Sequence, residues 1–286
     1  VPGPQHLDAH LSAATSHPMQ LTRDWLGRFD RETAVALLRH NTEPAPTIVR
    51  APDVFELDPA LVDPHDEEGF AVWRGDHDAL TRWLAEDRRR WVQDPTAARP
   101  VAATADLSPG LILDYCAGLG TKSRQLAELH PDATVIATDR DERRLRELHR
   151  VFADSPNVRV CRSDEVLEYR GQCDLVLLDV PCSNTGVLAR RLEARYRYGA
   201  EEVAELAELQ RQIVRHVAPV LRREGDRVVG RLLYSTCSLA AAENEEQAAW
   251  AGATLNLSYE KGELTLPGGR RHTYHDGGYY ALLGPR

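Results

Sequence analysis

No stretch of this 286-residue chain approaches the roughly 20 consecutive apolar residues of a membrane helix. Its opening, Val-Pro-Gly-Pro-Gln-His-Leu, lacks the basic-then-apolar plan of a secretory signal. The expectation is a cytoplasmic protein with no membrane partner. Because the chain starts at Val1 rather than at methionine, there is room for an upstream segment. Five cysteines, an odd number with no C-x-x-C pair, argue against a disulfide framework and against a zinc site, so no metal is expected. Such thiols are either buried packing residues or reactive groups. Lysine is nearly missing as well: only Lys122 and Lys261 occur, and arginine supplies the other basic residues. The net charge of −9 does not favour a nucleic-acid partner, since phosphates are neutralised by local cations. Arginines nevertheless cluster at 88–90, at 190, 191, 195 and 197, at 222–223 and at 270–271. Taken singly, each cluster reads more readily as a solvated helix face.

What is present divides the chain. Residues 1–16 are polar and proline-bearing and are expected to be flexible. Residues 17–105 read as a small mixed α/β accessory region. It has helical patterns at 22–29, at 31–40 behind the capping Asp30, and at 76–90. A short strand is expected at 47–50, an irregular acidic stretch at 54–69, and a connection at 95–107. Beyond residue 106, strand and helix signals alternate, which implies parallel strands with covering helices. Strands are expected at 111–115, 134–138, 158–161, 175–179 and 227–235, with a closing strand at 278–283. Helices are expected at 122–129, 141–152, 201–223 and 242–250. In the longest of these, Leu206, Leu209, Ile213, Val217 and Val220 recur at helical spacing and read as core. Nothing suggests a coiled coil, and a monomer is expected.

Two strand endings carry the chemistry. The run from Asp174 ends in Asp179-Val180-Pro181-Cys182-Ser183, and the run from Val228 ends in Tyr234-Ser235-Thr236-Cys237-Ser238. In open α/β sheets, ligands gather at the carboxyl ends of the strands. If these two strands are neighbours, about 4.8 Å apart, both thiols can face one substrate atom. The alternative is a pair of buried structural cysteines.

The first strand runs into Asp114-Tyr115-Cys116-Ala117-Gly118-Leu119-Gly120-Thr121-Lys122-Ser123 and then a helix. Glycines here let backbone N–H groups approach a ligand, and the helix start favours negative charge. A triphosphate loop needs glycine directly before the lysine, where Thr121 stands, and a dinucleotide turn wants a third glycine where Ser123 stands. What is left is an adenosine ligand without a pyrophosphate, S-adenosylmethionine. Asp139, ending the second strand, suits the ribose hydroxyls in register with the glycine turn, a reading preferred to the alternative that it only caps the next helix. Asp164, after the third strand, is placed to meet the adenine. Paired thiols suit methyl transfer to carbon 5 of cytosine, which becomes nucleophilic once a thiolate adds at carbon 6. Asp179 could then hold the base edge, and the base must be unstacked.

These motifs, with Glu243-Asn244-Glu245, the ending Asp276-Gly277-Gly278-Tyr279-Tyr280 and weaker similarity back through Asp94 to Ser16-His17-Pro18 and Asn41, resemble the RNA cytosine-C5 methyltransferase family of the RsmB or Sun type, which modifies bacterial 16S ribosomal RNA. The resemblance implies a Rossmann-like class I S-adenosylmethionine-dependent methyltransferase fold over 106–286, with RNA as the partner, ribosomal before transfer RNA. Cys237 would be the nucleophile, Cys182 would assist proton removal and release, Asp179 would contact the cytosine and Lys122 would support the loop. Cys116, Ala117, Gly118, Gly120, Lys122, Asp139, Arg144, Asp164 and Asp179 would line the cofactor site. The chain departs from the family at Gly118 to Ser123, where Ala-Pro-Gly-Gly-Lys-Thr is usual. It departs again at Val180 for alanine and at Asn184 for glycine. A transfer-RNA cytosine methyltransferase and a non-catalytic RNA-binding or ribosome-assembly protein are the other readings.

Overall fold

The computed structural model describes residues 6–51, 58–87 and 89–286. The chain folds as two compact units that do not follow the expected boundary at 105. One comprises the residues up to 97 with 183–202 and 265–278; the other comprises 98–182, 203–264 and 279–286.

In the first unit, three helices, Leu7–Thr15 (α1), Met19–Arg28 (α2) and Arg31–His40 (α3), precede strands Ile48–Arg50 (β1), Val62–Pro64 (β2) and Phe70–Trp73 (β3). Helix His77–Glu86 (α4) and strand Trp91–Val92 (β4) follow. The strands make an antiparallel sheet of order β2-β3-β1-β4. Helix α1 corrects the expectation of a flexible start: Leu11 and Thr15, one turn apart, are buried, and Asp8 in its first turn pairs with Arg23 at 2.8 Å. Strand β2 corrects the irregular stretch expected from 54, of which residues 54–57 lie outside the described residues. Helix α4 has Asp76 as its cap but ends four residues short of Arg90, whose successor Trp91 is drawn into the sheet opposite Arg50. A buried ionic knot ties three distant segments of this unit. Arg190 Nε lies 2.6 Å from Asp276 and its Nη2 lies 3.4 Å from Asp94, while Asp94 accepts the Asp276 backbone N–H. Arg195 likewise donates to the Asn41 carbonyl.

The second unit is the alternating α/β half. Pro95–Ala102 (α5), expected as a connection, is helical; its leading proline sits where a missing N–H costs nothing. Then come Leu111–Asp114 (β5), Thr121–Leu129 (α6), Thr134–Ala137 (β6), Glu142–Val151 (α7), Val158–Val160 (β7) and Leu175–Asp179 (β8). The long helix Ala200–Val217 stops before Pro219 rather than at 223. Its buried face is Ala207, Gln210, Ile213, Val214 and Val217, so Leu206 and Leu209 are only half-buried.

The strand expected at 227–235 is two elements. Arg223–Glu224 (β9) and Arg227–Val228 (β10) form a small hairpin, and Arg231–Thr236 (β11) belongs to the main sheet. Gly230 separates them because a Cβ there would lie 2.5 Å from the Cys173 carbonyl oxygen. Helix Glu245–Leu255, strand Leu257–Thr265 (β12) and strand Gly278–Pro285 (β13) complete the unit.

The seven-stranded sheet has the order β12-β13-β11-β8-β5-β6-β7. Its β11, β8, β5, β6 and β7 are parallel, and β13 runs antiparallel to β11. The C-terminal strand therefore does not close the sheet; β12 does. Side chains alternate between two cores, as strand geometry requires. Leu113, Ile136, Val176, Leu178 and Tyr234 meet the helices at 200–217 and 245–255, whereas Ile112, Val135, Leu175, Leu177 and Leu233 meet α5, α6 and α7. This is the Rossmann-like class I fold expected from residue 106 onward. Strand order reverses between β5 and β8, the switch point where such sheets hold ligands.

Candidate active site

Three strand ends and one helix start converge at the switch point. β8 and β11 pair in parallel with Asp179 opposite Ser235, so both side chains leave the same face of the sheet. Ser235 Oγ donates to Asp179 Oδ1 at 2.9 Å, and Lys122 Nζ, from the first turn of α6, lies 2.7 Å from Asp179 Oδ2. Burial opposes the Lys122 charge, but Asp179 beside it and Asp114 behind it outweigh that and hold its pKa above the usual lysine value. A lysine that keeps its charge is a fixed cation against the strand-end carboxylate.

The two cysteines lie just past the last paired residues, and Cys182 Sγ is 3.3 Å from Cys237 Sγ. Cys182 is 8% exposed and Cys237 is half-buried. The chain following Cys182 turns at Asn184 with φ +59. The family's usual residue there is glycine, and asparagine tolerates the same left-handed backbone. Burial pushes the pKa of the other three cysteines up, Cys161 to about 11, Cys173 to about 12 and Cys116 well above its usual value.

On the cofactor side, Gly118 (φ +60) and Gly120 (φ +88) shape the turn. Asp139 accepts from the backbone N–H of Gly118 at 3.0 Å and of Asp141 at 2.9 Å, and Arg144 Nη1 lies 3.5 Å from it. The cap of α7 is Asp141, which accepts from Arg143 and Arg144; the capping alternative for Asp139 falls. Asp114, ending β5, is wholly buried and accepts from Ser123 Oγ at 2.7 Å. Burial, with the nearby Asp179 and Asp139 charges, pushes its pKa up to about 7.

Among the described residues, Asp114 Oδ1 and Thr138 Oγ1 are buried polar atoms without a protein partner, and a Cβ on Gly118 would meet nothing within 4 Å. Orphaned polar atoms at the ends of β5 and β6, and separately the open space at the Gly118 turn, fit a polar, adenosine-type ligand at these strand ends.

The structure therefore gathers Cys182, Cys237, Asp179 and Lys122, and places Cys116, Ala117, Gly118, Gly120, Asp139 and Arg144 along the neighbouring turn. Asp164 is not drawn in: it is exposed and pairs with Arg162 at 3.1 Å. Ser235, Ser123 and Asp114 went unread as site residues. The aligned endings of the two cysteine strands carried the signal for Ser235, because they fix its register opposite Asp179. Among the described residues no group of three or more His, Cys, Asp or Glu side chains is arranged to hold a metal.

A family model described as 16S rRNA methyltransferase RsmB/F matches residues 105–256. A ribosomal RNA small subunit methyltransferase B from Erwinia tasmaniensis is 37% identical over 211 residues, covering 67% of this chain and 46% of that protein. One from Shewanella oneidensis is 35% identical over 214 residues, covering 67% and 47%. The chain thus spans about half the length of these curated relatives. Among solved structures, a methyltransferase homolog protein from Pyrococcus horikoshii superposes with a TM-score of 0.75 at 20% identity, covering 99% of each chain. That likeness is one of fold.

Proposed function

The chain belongs to the 16S rRNA methyltransferase RsmB/F family, and on that footing we propose that it methylates carbon 5 of a cytosine in RNA, 16S ribosomal RNA before others, through a covalent cysteine–cytosine adduct. S-adenosylmethionine, when bound along the turn at 116–122, would supply the methyl as an electrophile. Asp139 suits its ribose hydroxyls, as a strand-end carboxylate anchored by two backbone N–H groups.

The observation that carries this reading is the 3.3 Å approach of two thiols beside a lysine-paired carboxylate. Cytosine carbon 5 is a weak nucleophile. When the Cys237 thiolate adds to carbon 6, the sulfur–carbon bond forms and the ring double-bond electrons become available at carbon 5. Asp179, fixed by Lys122 and Ser235, accepts from the base's amino edge and holds the ring as that charge develops. After the methyl has joined carbon 5, the proton on that carbon must be removed; the electron pair it leaves re-forms the double bond and expels the Cys237 thiolate. Cys182, touching Cys237, is placed to serve that second half.

The test is substitution of each thiol in turn, assayed with labelled cofactor on undermethylated ribosomal RNA. Cys237→Ala is expected to abolish incorporation. Cys182→Ala is expected to form an RNA–protein adduct that survives denaturing electrophoresis. Full activity of Cys237→Ala would overturn the mechanism, and RNA binding without methyl incorporation by the unmodified protein would favour a non-catalytic role.

A further inference from the structure

The strand ladder does not hold the two thiols. Its last pair is Asp179 opposite Ser235, with one further bond from the Val180 N–H to the Ser235 carbonyl; Cys182 and Cys237 lie three and two residues beyond that pair. Something else must fix them within contact distance.

Behind both loops lies a wholly buried polar network. Gln210, on the inner face of the long helix, donates through Nε2 to the Pro181 carbonyl at 3.0 Å and to Glu243 Oε1 at 3.1 Å, and its Oε1 accepts from Tyr234 Oη at 3.0 Å. The other oxygen of Glu243 accepts from Ser238 Oγ at 2.6 Å. Gln210, Glu243, Tyr234 and Ser238 are all 0% exposed. One carboxamide and one carboxylate therefore tie the residue before Cys182 to the residue after Cys237.

We propose that Gln210 and Glu243 are positioning residues that set the distance between the two thiols, and so the rate of the steps in which both thiols take part. The proposal rests on the methyltransferase reading for its consequence in catalysis, but not for its geometry. Neither side chain touches the reacting atoms; each acts through a loop. The single Tyr234 hydroxyl proton is shared between Gln210 Oε1 and the Glu243 carbonyl at 2.7 Å; a hydrogen-bonded network inside a low-dielectric core stiffens the loops it holds, and small errors in the placement of reacting groups are costly in rate. A glutamine on the otherwise apolar buried face of this helix has no simple packing rationale, since leucine would fill the same space without polar atoms to satisfy.

The test reads thiol spacing directly. Dibromobimane cross-links two close thiols, each thiolate displacing one bromide, and the product fluoresces; Cys237→Ala supplies the blank, and peptide mapping identifies the linked pair. In Gln210→Leu and in Ser238→Ala, the smaller of the two changes, each first checked for its folded far-UV spectrum and melting transition, Cys182–Cys237 cross-linking is expected to slow about tenfold or more, and kcat to fall in parallel. KM for RNA and for S-adenosylmethionine is expected to stay within about twofold. Glu243→Gln can still link Gln210 to Ser238, with the serine hydroxyl reversing its role, and is expected to recover most of the loss. A folded Ser238→Ala that cross-links and turns over at the unmodified rate overturns the proposal. If cross-linking slows as expected while the unmodified protein shows no methyl transfer, the positioning role stands and the catalytic reading fails.

Discussion

Gly118 and Gly120 stand two residues apart in one turn, both with positive φ, yet their substitutions should fail differently. A Cβ on Gly120, the residue that caps α6, would lie 2.6 Å from Phe152 Cε2 and 3.1 Å from Leu148 Cδ2, against the C-terminal end of α7. Alanine there adds a clash to a left-handed backbone, and we expect Gly120→Ala to lose about 2 to 3 kcal/mol of stability in urea unfolding. At Gly118 only the backbone objects, since open space faces the new methyl; the expected loss is about 1 kcal/mol. That open space is where the cofactor is proposed to approach, so Gly118→Ala should weaken S-adenosylmethionine binding in calorimetry by more than its small stability cost suggests. Equal stability losses for the two variants would contradict this division.

At the scale of elements, the ends decide. Helix α3 was legible to the residue because Asp30 caps it, α7 to within one residue at each end because Asp141 caps it, and β8 because an unbroken strand-length run ends two residues before Pro181. The same logic separates two neighbouring aspartates: Asp141→Ala should cost about 1 kcal/mol as a lost cap and leave cofactor binding nearly intact, whereas Asp139→Ala should abolish that binding as measured by calorimetry. If the two variants bind the cofactor alike, Asp139 is not the ribose ligand. Other ends were illegible for physical reasons. β12 carries Glu260, Lys261 and Glu263 on an edge where charge guards against further pairing, so its pattern does not read as a strand. β10 and β11 look continuous, and only the Cys173 carbonyl pressed against Gly230 shows why they are not. Gln210 was hidden by its polarity: the helical pattern pointed to Leu206 and Leu209, while the core took the residue that could bond to two loops. The cysteine pair was readable because two strands share one ending; the exposed position of Asp164 depends on packing that no local pattern reports.

For the whole molecule, pH is the variable on which buried charges of both units act together. Asp114 in one unit has its pKa pushed up to about 7, and Asp94 in the other is raised in the same direction, each first by burial and then by neighbouring carboxylates. From the ordinary 3.8 up to about 7 for Asp114, and over a window displaced the same way for Asp94, the folded protein keeps protons that the unfolded chain has released. Their contribution to stability is therefore full below about pH 4 and is lost as pH rises through 7. His17 acts in the opposite sense: burial lowers it from 6.5 to about 4, so its contribution is full above 6.5 and is lost as pH falls toward 4. Carboxylates held below their usual range, such as Asp30 and Asp174, act only in more acidic solution. Above pH 6.5 these shifts leave the two buried aspartates in sole control, and the melting temperature should fall between pH 6.5 and 8. Asp114→Asn keeps an acceptor for Ser123 but has no proton to lose. In calorimetric scans at pH 5, 6, 7 and 8, its melting temperature relative to the unmodified protein should rise from pH 5 to 7 and level off by pH 8, where the variant should be the more stable protein. A difference that stays constant across that range would mean that Asp114 does not hold its proton in the folded protein.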